Sequence, residues 1–122
     1  MNKINKPWGH EVRWAVNEKY LGKILHINAG QKLSRQYHEV KDETIYVLQG
    51  LLILEIGLDK QKKNQCESYK VLETGESYRI KPGVVHRFVA PKEAHVRLIE
   101  VSTPEIDDVV RLEDTYGRDV KK

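Results

Sequence analysis

Residues 30–50 read GQKLSRQYHEVKDETIYVLQG, and this stretch decides the fold. It holds two extended runs, Leu33 to His38 and Thr44 to Gln49, the second rich in β-branched and aromatic residues. Ala29-Gly30 turns the chain before the first run and Gly50 breaks it after the second, as glycine does at strand borders. Residues two apart on a strand face the same side, so Gln36 and His38 point together from adjacent pleats. Glu43 comes five residues past His38, after a turn through Lys41-Asp42, and opens the next run. A hard or borderline divalent metal needs several nitrogen and oxygen donors aimed at one spot, and this arrangement begins to supply them.

Outward from this stretch the same pattern continues. Trp8 to Val16 and Tyr20 to Asn28 are extended, the latter alternating Ile24, His26 and Asn28 against Leu25 and Ile27. Leu51 to Ile56 is a continuous apolar run, which predicts a strand buried on both faces. Leu58 to Glu67 reads as a polar, lysine-rich hairpin or loop. Tyr69 to Leu72, Ser77 to Ile80, His86 to Ala90 and His95 to Ser102 complete the strands, divided by Thr74-Gly75, Lys81-Pro82-Gly83 and Pro91-Lys92. Many short strands without alternating helices predict an antiparallel sandwich or barrel of the jelly-roll kind. After Pro104, apolar residues at Ile106, Val109, Val110 and Leu112 before Gly117 predict a short C-terminal helix over 106–116. That helix is expected to bury Val109 and Leu112 and to bring Arg111 or Arg118 near the mouth of the barrel.

At 122 residues the chain fits one domain, 1–122, with enough surface to bury a core without staples. Its 21 basic and 18 acidic residues are mixed along the chain, and Lys60, Lys62 and Lys63 read as a solvated loop, so no nucleic-acid partner is expected. Cys66, the single cysteine, excludes an internal disulfide and a cysteine-based zinc cage. Met1 to Gly9 has no apolar run, and no stretch approaches the roughly 20 apolar residues of a membrane span, so a cytoplasmic protein with no membrane partner is the expectation. Sheet edges and apolar outer faces call for cover, which predicts a homodimer through Trp8, Trp14 and the outward residues of Leu51 to Ile56.

A second cluster completes the first. Gly75, five residues, Lys81, one residue, Gly83, two residues, His86 follows the earlier Gly30, five residues, Gln36, one residue, His38, four residues, Glu43, six residues, Gly50. Together they resemble the two motifs of the cupin superfamily, with Gln36 at the usual first histidine. Lys81 replaces the usual proline, although Pro82 supplies a rigid turn one position later, and Ala90 replaces the usual asparagine. The resemblance implies an all-β double-stranded β-helix, a jelly-roll barrel. It implies Gln36, His38, Glu43 and His86 as ligands of one divalent metal ion, zinc first, with manganese, nickel or iron as alternatives. His10, His26 and His95 read as surface or structural histidines.

The likeness extends along nearly the whole chain. Lys6-Pro7-Trp8-Gly9 is similar to the opening of the C-terminal cupin domain in type II mannose-6-phosphate isomerases, and Leu33-Ser34-Arg35-Gln36-Tyr37-His38 to that family's L-S-L-Q-x-H. Ile99-Glu100-Val101 and the run from Asp107 to Arg118 resemble its ending, I-E-V followed by E-D-D-I-V-R-x-x-D-x-Y-G-R. This resemblance implies a metal-dependent aldose–ketose isomerase acting on a small sugar phosphate. It assigns Lys23 and Lys41 to catalysis and Arg111 and Arg118 to the phosphate. Lys23 also reads as a solvent-facing strand lysine, and Arg118 as a salt-bridge partner of Asp114 or Glu113. Lys41 stands where an arginine is expected, and Thr44 and Ile45 replace a histidine and a tryptophan. These changes leave room for an alternative, a cupin that binds a sugar or nucleotide sugar through its metal without turnover. A third reading, an oxygen-using iron cupin, is weakened by Gln36, because such sites usually carry three imidazoles.

Overall fold

A computed structural model describes residues 2–57 and 68–118 of the protein. The hairpin or loop expected over 58–67, with its lysines and Cys66, lies outside the described residues. Among the described residues eleven strands follow one another: β1 (Asn2–Lys6), β2 (Gly9–Val16), β3 (Leu21–Ile27), β4 (Arg35–Tyr37), β5 (Glu43–Gln49), β6 (Leu51–Ile56), β7 (Ser68–Glu73), β8 (Ser77–Ile80), β9 (His86–Val89), β10 (Val96–Ser102) and β11 (Val110–Glu113). They form two antiparallel sheets, ordered β1-β2-β3-β10-β5-β8 and β11-β4-β9-β6-β7. This is the expected all-β jelly-roll barrel. None of the described residues forms a helix long and apolar enough to cross a membrane.

Strand parity sets the interior. Leu25 and Ile27 of β3, Val96 and Leu98 of β10, Ile45 and Val47 of β5, Leu52 and Leu54 of β6 and Phe88 of β9 point inward into one core. Register then sorts the interior by polarity. Ile27 faces Val96 and Leu25 faces Leu98, while further along the same ladder Lys23 faces Glu100. On the other side of β10, Glu100 sits opposite Ile45 and Ser102 opposite Glu43. One half of the barrel is therefore apolar, and the inward positions of the other half carry charge. Gly50 joins β5 to β6 at φ 91°, and a Cβ there would come within 2.8 Å of the His95 carbonyl oxygen. Only glycine accepts both conditions.

Four expectations need correction. The run Leu51 to Ile56 is not buried on both faces: Leu52, Leu54 and Ile56 are buried, whereas Leu51, Ile53 and Glu55 are half-buried on the outer side. β1, of sequence NKINK, pairs with β2 and was not expected as a strand. Trp8 is 3% exposed and packs in the core, so it cannot belong to an outer dimer surface, whereas Trp14 is 51% exposed.

The fourth correction is the tail. No C-terminal helix forms; residues 110–113 are a strand, β11, antiparallel to β4, with Val110 opposite Tyr37 and Arg111 opposite Gln36. Without it β4 would be a sheet edge with unpaired backbone groups. Val110 and Leu112, two residues apart, pack with Val85 and Tyr37 in a small second core. Glu113 then serves two buried guanidiniums, accepting from Arg35 Nη1 at 3.1 Å and Arg87 Nη1 at 3.0 Å. Truncation after Pro104 should therefore destabilise the barrel by more than Leu112→Ala, for which about 2–5 kcal/mol is usual. Stranding buried charges adds about 3–5 kcal/mol for a broken pair. Denaturant unfolding of the two variants measures this, and an unchanged midpoint in the truncated protein would contradict it.

Candidate metal centre

β4 and β9 lie side by side with Gln36 opposite His86. β5 starts on the facing sheet with Glu43, and His38 follows β4 directly. His38 Nε2 and His86 Nε2 each lie 3.2 Å from the same oxygen, Glu43 Oε1. The two rings are 5.2 Å apart and tilted by 48°. All three residues are buried, and their donor atoms lie within 4.8 Å of one another.

The hydrogen bonds behind the rings fix their tautomers. His38 Nδ1 lies 2.5 Å from the Asp108 carbonyl oxygen, and His86 Nδ1 lies 2.9 Å from that of Val84. A carbonyl oxygen only accepts, so each Nδ1 carries a proton and donates it; in the neutral ring this leaves Nε2 with the lone pair, and in the protonated ring Nε2 donates to Glu43. Burial pushes the Glu43 carboxyl up, but its contacts with His38, His86 and Lys41 outweigh burial and hold it well below the usual carboxylate range. The 3.2 Å approach of His86 Nε2 is not an aligned hydrogen bond, because that buried nitrogen has no hydrogen-bond partner. Two imidazole nitrogens and a carboxylate oxygen thus meet in a buried spot, a group that could hold a cation. The donor set of two imidazoles and one carboxylate suits a divalent ion. Gln36 reaches the same cavity, where its Oε1 accepts from Ser34 Oγ at 2.7 Å.

His38 is held from two directions. Its carbonyl accepts the Gly83 N–H at 2.7 Å. The Asp108 carboxylate accepts the N–H groups of Glu39 at 3.1 Å and of Val40 and Lys41 at 2.8 Å each. Asp108 thereby clamps the 39–41 turn between His38 and Glu43. Nothing in the sequence pattern marked it for this, since the partners lie about 70 residues away.

The donors open into a cavity of about 320 Å³. Gln36, His38, Glu43, Lys23, Lys41, Arg111 and Arg118 all line it, and His86 sits behind Glu43. Lys41 Nζ lies 3.6 Å from Glu43 Oε2 and 3.1 Å from Glu100 Oε2. The second contact pairs charges without hydrogen-bond alignment, since Glu100 Oε2 has no aligned donor. Burial pulls the Lys41 ammonium down, but Glu100 and Glu43 outweigh it and raise it. Lys23 is buried, with its Nζ 3.5 Å from Glu11 Oε2. It is not solvent-facing. Arg118 pairs with Asp114 through Nε at 2.8 Å and Nη2 at 3.1 Å, so it forms the ion pair and lines the cavity at once. His10, His26 and His95 stack as a row away from the cavity, at ring separations of 4.8 and 4.7 Å.

Glu100 and Glu11 are the interior charges that were not singled out. Both are 4% exposed. The available signal was parity: a carboxylate at an inward position beside Leu98 has to meet a polar interior. Burial and the charge of Glu43 push the Glu100 carboxyl up to about 7, against the pull of Lys41 and Lys23.

The family model described as a cupin domain matches residues 23–102, the span from Lys23 through β10. The chain is a cupin. Among curated proteins, this cupin is 31% identical over 119 residues to the xanthan biosynthesis protein XanB of Xanthomonas campestris pv. campestris, a match to 95% of this chain and 24% of that protein. It is 33% identical over 118 residues to the mannose-1-phosphate guanylyltransferase ManC of Salmonella typhimurium, covering 94% and 23%. The chain thus spans about a quarter of the length of these relatives. In fold, it is similar to KdgF from Halomonas sp., with a TM-score of 0.73 and 18% identity over 88% of this chain and 91% of that one. A cupin-superfamily sugar phosphate isomerase from Silicibacter pomeroyi superposes with a TM-score of 0.64 at 20% identity, covering 77% and 58%. At such identities these two structures speak for the fold alone.

Two outcomes follow from the site. His38→Ala and His86→Ala should each lose bound metal while the barrel stays folded, which elemental analysis and circular dichroism together report; full occupancy in either would contradict the ligand set. The second concerns Glu100, whose folded value of about 7 lies above the ordinary 4.5. Between those values the folded state keeps a proton that the unfolded chain has released, so stability falls as pH rises through this window. Metal-free protein should lose about 3 kcal/mol across it, and Glu100→Gln should flatten the slope. Urea melts from pH 4.5 to 8 measure both, and equal slopes in the two proteins would refute the assignment.

Proposed function

We propose that this cupin is a metal-dependent aldose–ketose isomerase acting on a small sugar phosphate, with mannose 6-phosphate the first substrate to test. The observation that carries the proposal is the meeting of two imidazole lone pairs and a buried carboxylate at the end of a cavity lined by charge. Gln36, His38, Glu43 and His86 would hold a divalent ion there, zinc first and manganese, nickel or iron as alternatives. Such an ion, when bound, would polarise the oxygens of the sugar.

The remaining chemistry belongs to the chain. An aldose–ketose isomerisation moves a proton between adjacent carbons, so it needs a group that both takes and releases one near neutral pH. Glu100 sits beside Lys41 and Glu43 with its carboxylate in the cavity lining, and would hold that proton on Oε2. Lys41, between the two carboxylates, keeps their mutual repulsion in check. Lys23 pairs with Glu11 and faces Glu100 across the β3–β10 ladder. The names of the curated relatives, which place those proteins in sugar-nucleotide and polysaccharide synthesis, support the sugar-phosphate class. Of the departures from the type II isomerase pattern, Thr44 lies on the outer face of β5 and Ile45 in the core, so neither removes a group from the cavity lining. The alternative, sugar binding without turnover, draws support from the ion pairing of both Lys23 and Lys41.

A coupled assay for fructose 6-phosphate formation decides between the two. Metal-loaded protein should turn over mannose 6-phosphate, and Glu100→Gln should lower kcat by about 10²–10⁴-fold with metal content unchanged. Full metal occupancy, sugar-phosphate binding and no turnover would leave the non-catalytic reading standing.

A further inference from the structure

The cavity has a second end, opposite in character to the metal donors. Lys6 ends β1, Glu11 and Arg13 lie on β2, and Lys23 on β3. Three cations converge on the one carboxylate: Glu11 lies 3.8 Å from Lys6 Nζ, 2.8 Å from Arg13 Nε and 3.5 Å from Lys23 Nζ. One negative charge cannot neutralise three positive ones, so this end keeps an excess of positive charge. Arg118 also lines it from the tail, its own charge answered by Asp114.

The arrangement is graded in depth. The side chains of Lys6, Arg13 and Arg118 are 25%, 27% and 23% exposed, at the mouth, whereas Lys23 and Glu11 are 9% and 6% exposed, at the base. The Lys6 ammonium is pushed down by burial and by the charges of Arg13, Lys23 and Arg118, in spite of Glu11. Like charges crowded at the mouth of a cavity focus a field that attracts an anion. Arg13 spends only its Nε on Glu11; among the described residues no hydrogen bond holds its two terminal nitrogens. A guanidinium oriented in this way offers paired donors to two oxygens of a phosphate. Lys23 faces Glu100 across the ladder and Glu100 adjoins Lys41, so one continuous lining runs from this end to the metal donors.

We infer that Lys6 and Arg13, backed by Lys23 and Arg118, form an anion subsite that takes the phosphoryl group of a phosphomonoester whose polyol end reaches His38, Glu43 and His86. The inference rests on the sugar-phosphate reading of the site but not on turnover. It assigns the phosphate to the β1–β2 hairpin, where the sequence motifs had pointed only to Arg111 and Arg118. The volume favours a small ligand: about 320 Å³ lies at the low end of ligand pockets, which suits a phosphorylated monosaccharide better than a nucleotide sugar.

Binding of inorganic phosphate, mannose 6-phosphate and mannose to the full chain, measured by calorimetry, tests it. Wild type should bind mannose 6-phosphate more tightly than mannose. Arg13→Met and Lys6→Met should each weaken the phosphate-bearing probes by about tenfold or more, leaving mannose binding, metal content and the circular dichroism of the folded barrel unchanged. Arg13→Lys should fall between, because an ammonium lacks the fork. Wild-type affinity for mannose 6-phosphate in both methionine variants, or no preference of wild type for the phosphorylated sugar, would overturn the subsite. Phosphate binding that the variants lose in a protein without isomerase activity would sink the isomerase reading and keep the subsite. Turnover with an unchanged KM in both variants would do the reverse.

Discussion

Glu43 is a carboxylate with 2% of its surface exposed, and much of the interior is arranged around that charge. A buried charge left alone costs several kcal/mol. Its compensation comes from Lys41 on one oxygen and from the two imidazoles, with whatever they bind, on the other. Lys41 is itself buried and needs Glu100 as well as Glu43. Across the ladder Lys23 repeats the problem and meets Glu11. The polar half of the barrel is thus a lattice of alternating sign in which each charge is tolerable because of the next. The apolar half, packed around Leu54, Phe88 and Leu98, supplies the stability that such a lattice does not.

Register turns this demand into a site. The two residues that hold Glu43 from the opposite sheet are His86, which opens β9, and His38, which follows β4, and the pairing of Gln36 with His86 sets those two strands side by side. The tail locks the arrangement. β11 covers β4, Asp108 gathers the three amides of the 39–41 turn, and its carbonyl sets the His38 tautomer. The same segment delivers Glu113 to two buried arginines on the outer side. Fold stability and the geometry of the donor group therefore share one short stretch of chain, in which Asp108, Glu113 and Asp114 have separate partners.

Much of this was legible in the sequence, for a physical reason: strand parity is local. Short alternating runs between glycines predicted the barrel, and the resemblance of two spaced motifs to those of cupins pointed to His38, Glu43 and His86, which the fold brings together. What escaped was decided by distant partners. Val109 and Leu112 fit a helical stripe as well as Val110 and Leu112 fit a strand face, and the choice fell to the open edge of β4, which no local pattern records. β1 carries a single apolar residue, Ile4, because an edge strand needs little burial. Lys23 shares parity with Leu25 and Ile27, and that parity meant burial in company with Glu11 rather than exposure. Glu11 and Glu100 were hidden because a carboxylate on a strand is ordinarily a solvated one, and only the register shows that its face is inward.

The choice between a proton and a metal ion at this centre follows from the same bookkeeping of lone pairs. With both Nδ1 protons committed to backbone carbonyls and both rings neutral, the two Nε2 atoms and Glu43 Oε1 are three acceptors around one point. A single proton shared with Glu43 satisfies one imidazole and leaves the other nitrogen buried without a donor. A second proton makes two imidazolium ions side by side, next to the ammonium of Lys41, and like charges at that distance disfavour each other. A divalent ion takes all three lone pairs at once and adds its charge at a single point, where Glu43 already supplies the opposite sign. The capacity to hold a metal thus depends on the hydrogen bonds on the far side of each ring, since a flip of either imidazole would cost a backbone partner as well as a donor aimed at the centre.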